Sequence, residues 1–223
     1  MDVPIDKEVL LIDDCSTDGS REMIQKEIEG KYKNLKVIYH EKNEGKGSAI
    51  RTSLGRASGE FVIIQDADLE YDPRDYLRMC EAFNDPDVHV VYGARFQNMK
   101  PSTFFQRWFA NRFLGKHYTI KQFQHFFGIQ FLNLLTNLLY SANITDEATC
   151  YKAFRRETLQ KIHLNCRGFE FCPEVTAKIR KAGYAIKEVP VAYEPRSQKE
   201  GKKLNWKHGL EAISVLIKYR FMD

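Results

Sequence analysis

Between Asp87 and Asp146 the chain contains neither aspartate nor glutamate. In a 223-residue sequence with 30 acidic and 34 basic residues, that gap excludes an evenly charged surface. It leaves Arg95, Lys100, Arg107, Arg112, Lys116 and Lys121 without local acid, so this part reads as a surface for anions. The cysteines Cys15, Cys80, Cys150, Cys166 and Cys172 are odd in number and lack Cys-x-x-Cys spacing. A disulfide framework is thereby excluded, and reduced thiols in a cytosolic protein are expected. The histidines lack zinc-site spacing and read as structural. No run of about 18 apolar residues is present to cross a bilayer, and no secretory signal precedes the first strand pattern. Neither an internal repeat nor a low-complexity tract occurs. With 43% apolar and 29% charged residues, the composition suits one domain spanning 1–223 with a full core.

What is present is organised around Gln65-Asp66-Ala67-Asp68-Leu69-Glu70-Tyr71-Asp72-Pro73, which follows the apolar run Phe61-Val62-Ile63-Ile64. Those β-forming residues predict a short buried strand with carboxylates emerging at its end. In an open parallel sheet, ligands bind outside the carboxyl ends of the strands. Alternate residues of an extended chain point the same way, so Asp66, Asp68 and Glu70 are expected to converge. Clustered acids repel one another unless a divalent cation neutralises them. Oxygen-only ligands favour Mg²⁺ or Mn²⁺, with positions left open for substrate phosphates. The plainer alternative is a solvated loop capping the next helix, with Asp72 as N-cap and Pro73 in the first turn. A matching acidic turn upstream favours the metal site.

That upstream turn is Asp13-Asp14-Cys15-Ser16-Thr17-Asp18-Gly19, which follows the apolar residues 9–12. Asp18 is a predicted N-cap for a helix reaching about residue 29, closed by Gly30. A second strand is expected over 35–39 and a helix over 48–57, joined by Asn43-Glu44-Gly45-Lys46-Gly47. Gly45 and Gly47 permit close backbone approach and Lys46 supplies a point charge, a combination that suits a phosphate or simply a tight turn. Strands over 61–65 and 88–92, with a helix over 75–83 between them, continue the alternation. It predicts an α/β fold with a Rossmann-like, mostly parallel sheet and right-handed crossovers.

After Arg95 the pattern changes. Phe105, Trp108, Phe109 and Phe113 share one helical stripe, and a later stretch carries Phe126, Phe131, Leu134, Leu135, Leu138 and Leu139, broken by Gln130, Asn133 and Asn137. Amphipathic helices are expected over 103–142 and 205–221, the second with Trp206, Leu210, Ile213 and Ile217 on one face. Aromatic stripes are usually core; beside an acid-free basic flank they also point to a lipid headgroup surface. No nucleic-acid reader motif accompanies the basic residues, so nucleic acid is not an expected partner. Further on, a short strand and helix ending near residue 162, a helix through 181 with Pro173 near its start, and a strand over 186–193 are predicted. Residues 195–203 form a cationic loop suited to folding over a diphosphate.

Taken together, Ile12 to Gly19, Asn43 to Gly47, Gln65 to Pro73, Gly93-Ala94-Arg95, Thr145 to Lys152, Gly168 to Glu174 and Pro195 to Lys203 resemble the inverting GT-A glycosyltransferases of glycosyltransferase family 2. Within that family the chain is most similar to the polyprenyl-phosphate sugar synthases, which include the dolichol-phosphate mannose synthases. The resemblance covers nearly the whole chain. It implies transfer of a hexose, with inversion, from a nucleotide diphosphate sugar such as GDP-mannose or UDP-glucose to a polyprenyl or dolichyl phosphate. Asp14 would contact the base, with Asp13 and Ser16 shaping that turn and Lys46 near the phosphates. Asp66, Asp68 and Glu70 would hold Mg²⁺ or Mn²⁺. Arg95 and Arg196 would face the donor diphosphate or acceptor phosphate, assisted by Lys202 and Lys203, and Asp146 would lie near the sugar. Residues 1–95 form the expected nucleotide and metal half, and 96–223 the acceptor half. The family's first strand and helix are expected to be lacking, and membrane contact to be peripheral at the cytoplasmic face or through a membrane partner subunit. Two other functions fit the same residues: a transferase of this fold acting on a saccharide hydroxyl, and a non-catalytic membrane-docking module.

Overall fold

A computed structural model describes residues 3–95, 120–194 and 206–222, with the main chain alone for 120–126. Strand β1 (Val9–Asp13) runs parallel to β2 (Leu35–Tyr39), with helix α1 (Ser20–Glu27) as the crossover. The acid at residue 18 works one step earlier than a cap: Asp18 Oδ1 accepts the Ser20 N–H, while Gly19, at φ 89°, holds the N-cap position. Helix α2 (Lys46–Leu54) leads to β3 (Phe61–Ile63). Helix α3 (Asp75–Glu81) and the 3-10 turn Ala82–Asn84 lead to β4 (Val90–Ala94). Beyond it lie α4 (Ile120–Tyr140), β5 (Lys152–Arg155), α5 (Arg156–Gln160), α6 (Phe171–Lys181), β6 (Ile186–Pro190) and α7 (Trp206–Phe221).

The larger sheet has the order β3-β5-β4-β6, and all five residues of β4 are buried at its centre. Alternation along β4 sends Val90 and Tyr92 into a core with Phe154, Phe171, Val175 and Ile179, and Val91 into a second core with Tyr71, Met79, Phe83 and Tyr151. Helices therefore cover both faces of this sheet, as an α/β fold requires. β6 is parallel to β4, but β5 is antiparallel to both β3 and β4. Strict strand-helix alternation fixes direction across one crossover only. The chain re-enters the sheet at the end where β4 finishes, so β5 runs antiparallel as it inserts between β3 and β4.

The β1-β2 pair forms a separate ladder. Val9 and Asp13 bond toward β2's side, and Glu60 and Ile64 toward β5's, which turns the main-chain groups of Leu10, Ile12, Phe61 and Ile63 outward. Among the described residues no ladder joins β1 to β3. Their starts are tied instead by Glu8, whose Oε1 accepts the Ser58 and Gly59 N–H groups at 2.5 and 3.0 Å. The Ser58 main-chain bond, ahead of its hydroxyl, draws the Glu8 carboxyl down to about 2.

Helix α4 divides its apolar residues: Leu132, Leu135 and Leu139 pack toward the core and others face out. Ile129, Asn133, Thr136 and Tyr140 face inward, whereas Phe127, Phe131, Leu134 and Leu138 are exposed, Leu138 by 73%. Spacings of three and four residues place each set on one face. α4 packs with α6 and α7 through Tyr140, Ala177, Leu216 and Tyr219. On α7 the predicted stripe likewise faces out, with Trp206, Leu210 and Ile217 exposed. Among the described residues no helix is long and apolar enough to cross a membrane. Phe105, Trp108, Phe109, Phe113, Lys100, Arg107, Arg112 and Lys116 lie outside the described residues.

Candidate active site

The carboxyl ends of β1 and β3 and the start of α2 meet at a group of acids closed by one lysine. Asp13 is buried; Arg21 Nε donates to its Oδ2 at 2.6 Å and the Ser16 N–H to its Oδ1 at 3.3 Å. Burial opposes ionisation of Asp13, but the Ser16 and Arg21 bonds outweigh it and hold its pKa below the usual carboxylate range. Asp13 thus fixes the turn at Ser16. Asp14 reaches across to the next loop, where the Glu44 and Gly45 N–H groups donate to it at 2.9 and 2.7 Å and His40 Nδ1 lies at 2.7 Å. Against burial, these bonds lower its pKa too. Its carboxylate is committed to fastening β1's turn to the start of α2.

Gly45 and Gly47 are required by a close approach within the protein. A Cβ on Gly45 would stand 2.5 Å from the Arg167 carbonyl oxygen, and one on Gly47 2.9 Å from the Arg167 carbonyl carbon. Gly45 also sits at φ 89°, a region L side chains avoid. Both glycines let the first turn of α2 press against residues 166–168, which fixes the origin of the Lys46 side chain. Lys46 Nζ then lies 2.6 Å from both oxygens of Asp66 and 3.4 Å from Cys150 Sγ.

The expected convergence of Asp66, Asp68 and Glu70 is not what the chain does. Leu69 takes φ 60° and is 90% exposed, so the segment turns where an extended alternation was assumed. Asp68 Oδ1 accepts the Glu70 N–H at 3.2 Å, and Glu70 Oε2 accepts the Tyr193 hydroxyl at 3.2 Å. Among the described residues no three His, Cys, Asp or Glu side chains gather as a metal site. Asp72 binds Arg74, and α3 starts at Asp75, so the helix-capping alternative also misplaces its cap. The turn is anchored by a residue with no role in the sequence reading. Gln65 Oε1 accepts hydroxyls of both Tyr76 and Tyr151 at 2.6 Å, and Gln65 Nε2 donates to the Asp66 carbonyl.

Arg95 and Asp146 meet at the end of β4. The Arg95 main-chain N–H, Nε and a terminal nitrogen donate to the Asp146 carboxylate at 3.0, 2.7 and 2.7 Å. Both side chains are buried, and the guanidinium lies 4.8 Å from the centre of the Tyr193 ring. Arg95 and Asp146, given separate roles in the sequence reading, form one bidentate pair. Next to it, Glu147 is fully buried: Oε1 accepts the Thr176 hydroxyl at 2.9 Å, while Oε2 has no hydrogen-bond partner. Burial pushes the Glu147 carboxyl up to about 7, against the pull of nearby Lys152. Lys152 Nζ is itself buried, donating to the Glu147 carbonyl at 3.0 Å and lying over the Tyr92 ring.

Asp13, Asp14, Ser16, Lys46, Asp66, Asp68 and Glu70 thus line the ends of β1 and β3, with Arg95 and Asp146 at the end of β4. Arg196, Lys202 and Lys203 lie outside the described residues.

Residues 4–163 match the model of a family described as Glycosyl transferase family 2. The glycosyltransferase AglJ of Haloferax volcanii is 28% identical over 189 residues, covering 84% of this chain and 54% of its own length. A dolichol-phosphate mannosyltransferase of Pyrococcus furiosus is 26% identical over 200 residues, 87% of this chain and 50% of its own. The chain thus spans about half the length of these curated relatives. Glucosyl-3-phosphoglycerate synthase of Mycobacterium tuberculosis, crystallised with Mn²⁺, UDP-glucose and phosphoglyceric acid, has a TM-score of 0.62 at 16% identity, covering 96% of this chain and 69% of that one. At that identity the likeness is one of fold.

Proposed function

Since the chain belongs to glycosyl transferase family 2, we propose that it transfers a hexose from a nucleotide diphosphate sugar, GDP-mannose or UDP-glucose, to a polyprenyl phosphate with inversion. Oxygen-only donors at Asp66 and Asp68 suit a hard cation, and the Lys46 ammonium between both Asp66 oxygens already stands where a positive charge is favoured. Asp66 and Asp68 would hold Mg²⁺ or Mn²⁺, with donor phosphate oxygens completing its shell; Glu70, bound to Tyr193, is left out of the set. When bound, the cation supplies charge neutralisation for a departing nucleoside diphosphate.

In the reaction a bond forms between an acceptor phosphate oxygen and the anomeric carbon as the bond from that carbon to the donor diphosphate breaks. The attacking oxygen is already an anion, so no proton needs a base. The observation that carries this acceptor class is the Asp146 carboxylate. Both of its oxygens are held by Arg95, which makes it a poor general base for a hydroxyl acceptor. Lys46 and Arg95 supply positive charge near the two ends of the reacting site. Removing one such electrostatic contact costs ~3 kcal/mol, roughly a hundredfold in rate.

The exposed apolar faces of α4 and α7 support a peripheral position at the cytoplasmic face of a membrane, where a lipid-linked acceptor resides. The test is incubation with Mn²⁺, each labelled nucleotide sugar in turn, and a short polyprenyl phosphate in vesicles. A lipid-linked sugar from one donor is expected. Nucleotide binding with no lipid product from any donor refutes the proposed acceptor.

A further inference from the structure

The segment carrying Asp146 belongs to no helix or strand, yet its main chain is bonded at almost every position. Asn137 Nδ2 donates to the Ile144 carbonyl at 2.8 Å and its Oδ1 accepts the Ile144 N–H at 2.9 Å. Asn133 Nδ2 donates to the Thr145 carbonyl and its Oδ1 accepts the Glu147 N–H at 2.8 Å. From the other side Glu188, on β6, accepts the Thr145 N–H at 2.9 Å, the Thr145 hydroxyl at 2.8 Å and the Asp146 N–H at 3.1 Å. Asn133 and Asn137 stand one helical turn apart on α4, so a single rigid element presents both.

An asparagine buried within an apolar helix is costly unless its amide is used, and here both ends of Asn133 are used on one loop. Glu188 is spent in the same way: its carboxylate serves main-chain N–H groups where a regular strand would use carbonyls. The three residues leave residues 144–147 little freedom, which fixes where the Asp146 carboxylate stands and hence where Arg95 is held.

We propose that Asn133 and Glu188 are positioning residues that set the Asp146 to Arg95 pair from opposite sides. Its consequence for turnover rests on the transfer reading above; the positioning itself does not. Because Phe131 and Leu134 flank Asn133 on the outer face of α4, the helix that meets the proposed lipid surface is the one that grips this loop.

The test follows amide hydrogen exchange at Arg95, whose N–H is bonded to Asp146, in full-length Asn133→Ala and Glu188→Ala. Each is expected to speed exchange at Arg95 on the order of tenfold, with the amides of Val90 to Tyr92 unchanged as an internal standard. Glu188→Gln keeps an oxygen for the Asp146 N–H and is expected to restore slow exchange. In the vesicle assay both alanine variants lower kcat about a hundredfold with the donor KM unaltered. Should either alanine variant fail to fold, Asn133→Asp, which keeps the acceptor but loses the donor, decides in its place by faster exchange at Arg95. Unchanged Arg95 exchange in the folded variants overturns the proposal, as does faster exchange with unaltered kcat. A wild-type chain that turns over no donor sinks the transfer reading alone, since the exchange result still decides the positioning.

Discussion

Replacing Asp146 by Asn keeps the side chain's shape and removes its charge. Arg95 would then lie buried with an amide in place of its carboxylate, and two charge-assisted bonds of 2.7 Å would weaken. Breaking one side of a buried ion pair costs ~3–5 kcal/mol, because the remaining charge has lost both water and partner. For a domain of this size each kcal/mol moves Tm by roughly 2–4 °C, so a fall of about 6–20 °C is expected. The double replacement Arg95→Met with Asp146→Leu removes both charges and should recover most of that loss. Methionine retains contact with the Tyr193 ring, which Arg95 now covers. The assay is a thermal and urea double-mutant cycle. An Asp146→Asn protein melting within about 2 °C of wild type, or a double variant no better than the single one, would show that the pair does not carry the load assigned to it.

Glu147 predicts a pH effect of definite sign. With its folded pKa pushed up to about 7, the folded state holds a proton that the unfolded state releases earlier. Stability therefore falls as pH rises from the ordinary glutamate value to about 7, by on the order of 3 kcal/mol. Glu147→Gln should flatten that slope in urea melts from pH 4 to 8 and gain stability above pH 7; an unchanged slope refutes the assignment. Gly45→Ala, which would drive a Cβ into the Arg167 carbonyl, should cost ~1–3 kcal/mol by chemical denaturation. Lys46→Met removes the ammonium that occupies Asp66. Mn²⁺ alone, measured by electron paramagnetic resonance, should then bind more tightly, whereas nucleotide diphosphate should bind more weakly; an unchanged Mn²⁺ affinity argues against the shared position. Leu138→Glu on the exposed face of α4 should reduce co-flotation with anionic vesicles without lowering Tm, and a large drop in Tm would mean that the face is core after all.

Much of this was legible in the residues because strand, acidic turn and helix are local patterns. The apolar runs at β1, β3 and β4 placed three strand ends correctly to within two residues, and with them Asp13, Asp66 and Arg95. Side-chain direction was not legible. Alternation along Asp66, Asp68 and Glu70 presumes an extended chain, and Leu69's left-handed conformation breaks it. The pairing of Arg95 with Asp146 depends on β5 entering antiparallel beside β4, a long-range event that no spacing encodes. Asn133 and Asn137 did leave a signal: two amides one turn apart inside an apolar stripe mark a buried polar task. Periodicity alone left the stripe between core and lipid surface; Leu132, Leu135 and Leu139 pack inward beside the amides, whereas Leu134 and Leu138 point out.

The divided sheet also has a bearing on handling. Leu10 and Ile12 on one margin, and Phe61 and Ile63 on the other, offer amides and carbonyls that no ladder among the described residues takes up, flanked by apolar side chains. Such margins act as templates on which any extended segment can zip, including the same strands of another molecule. Concentrated protein should therefore be prone to self-association through these two strands.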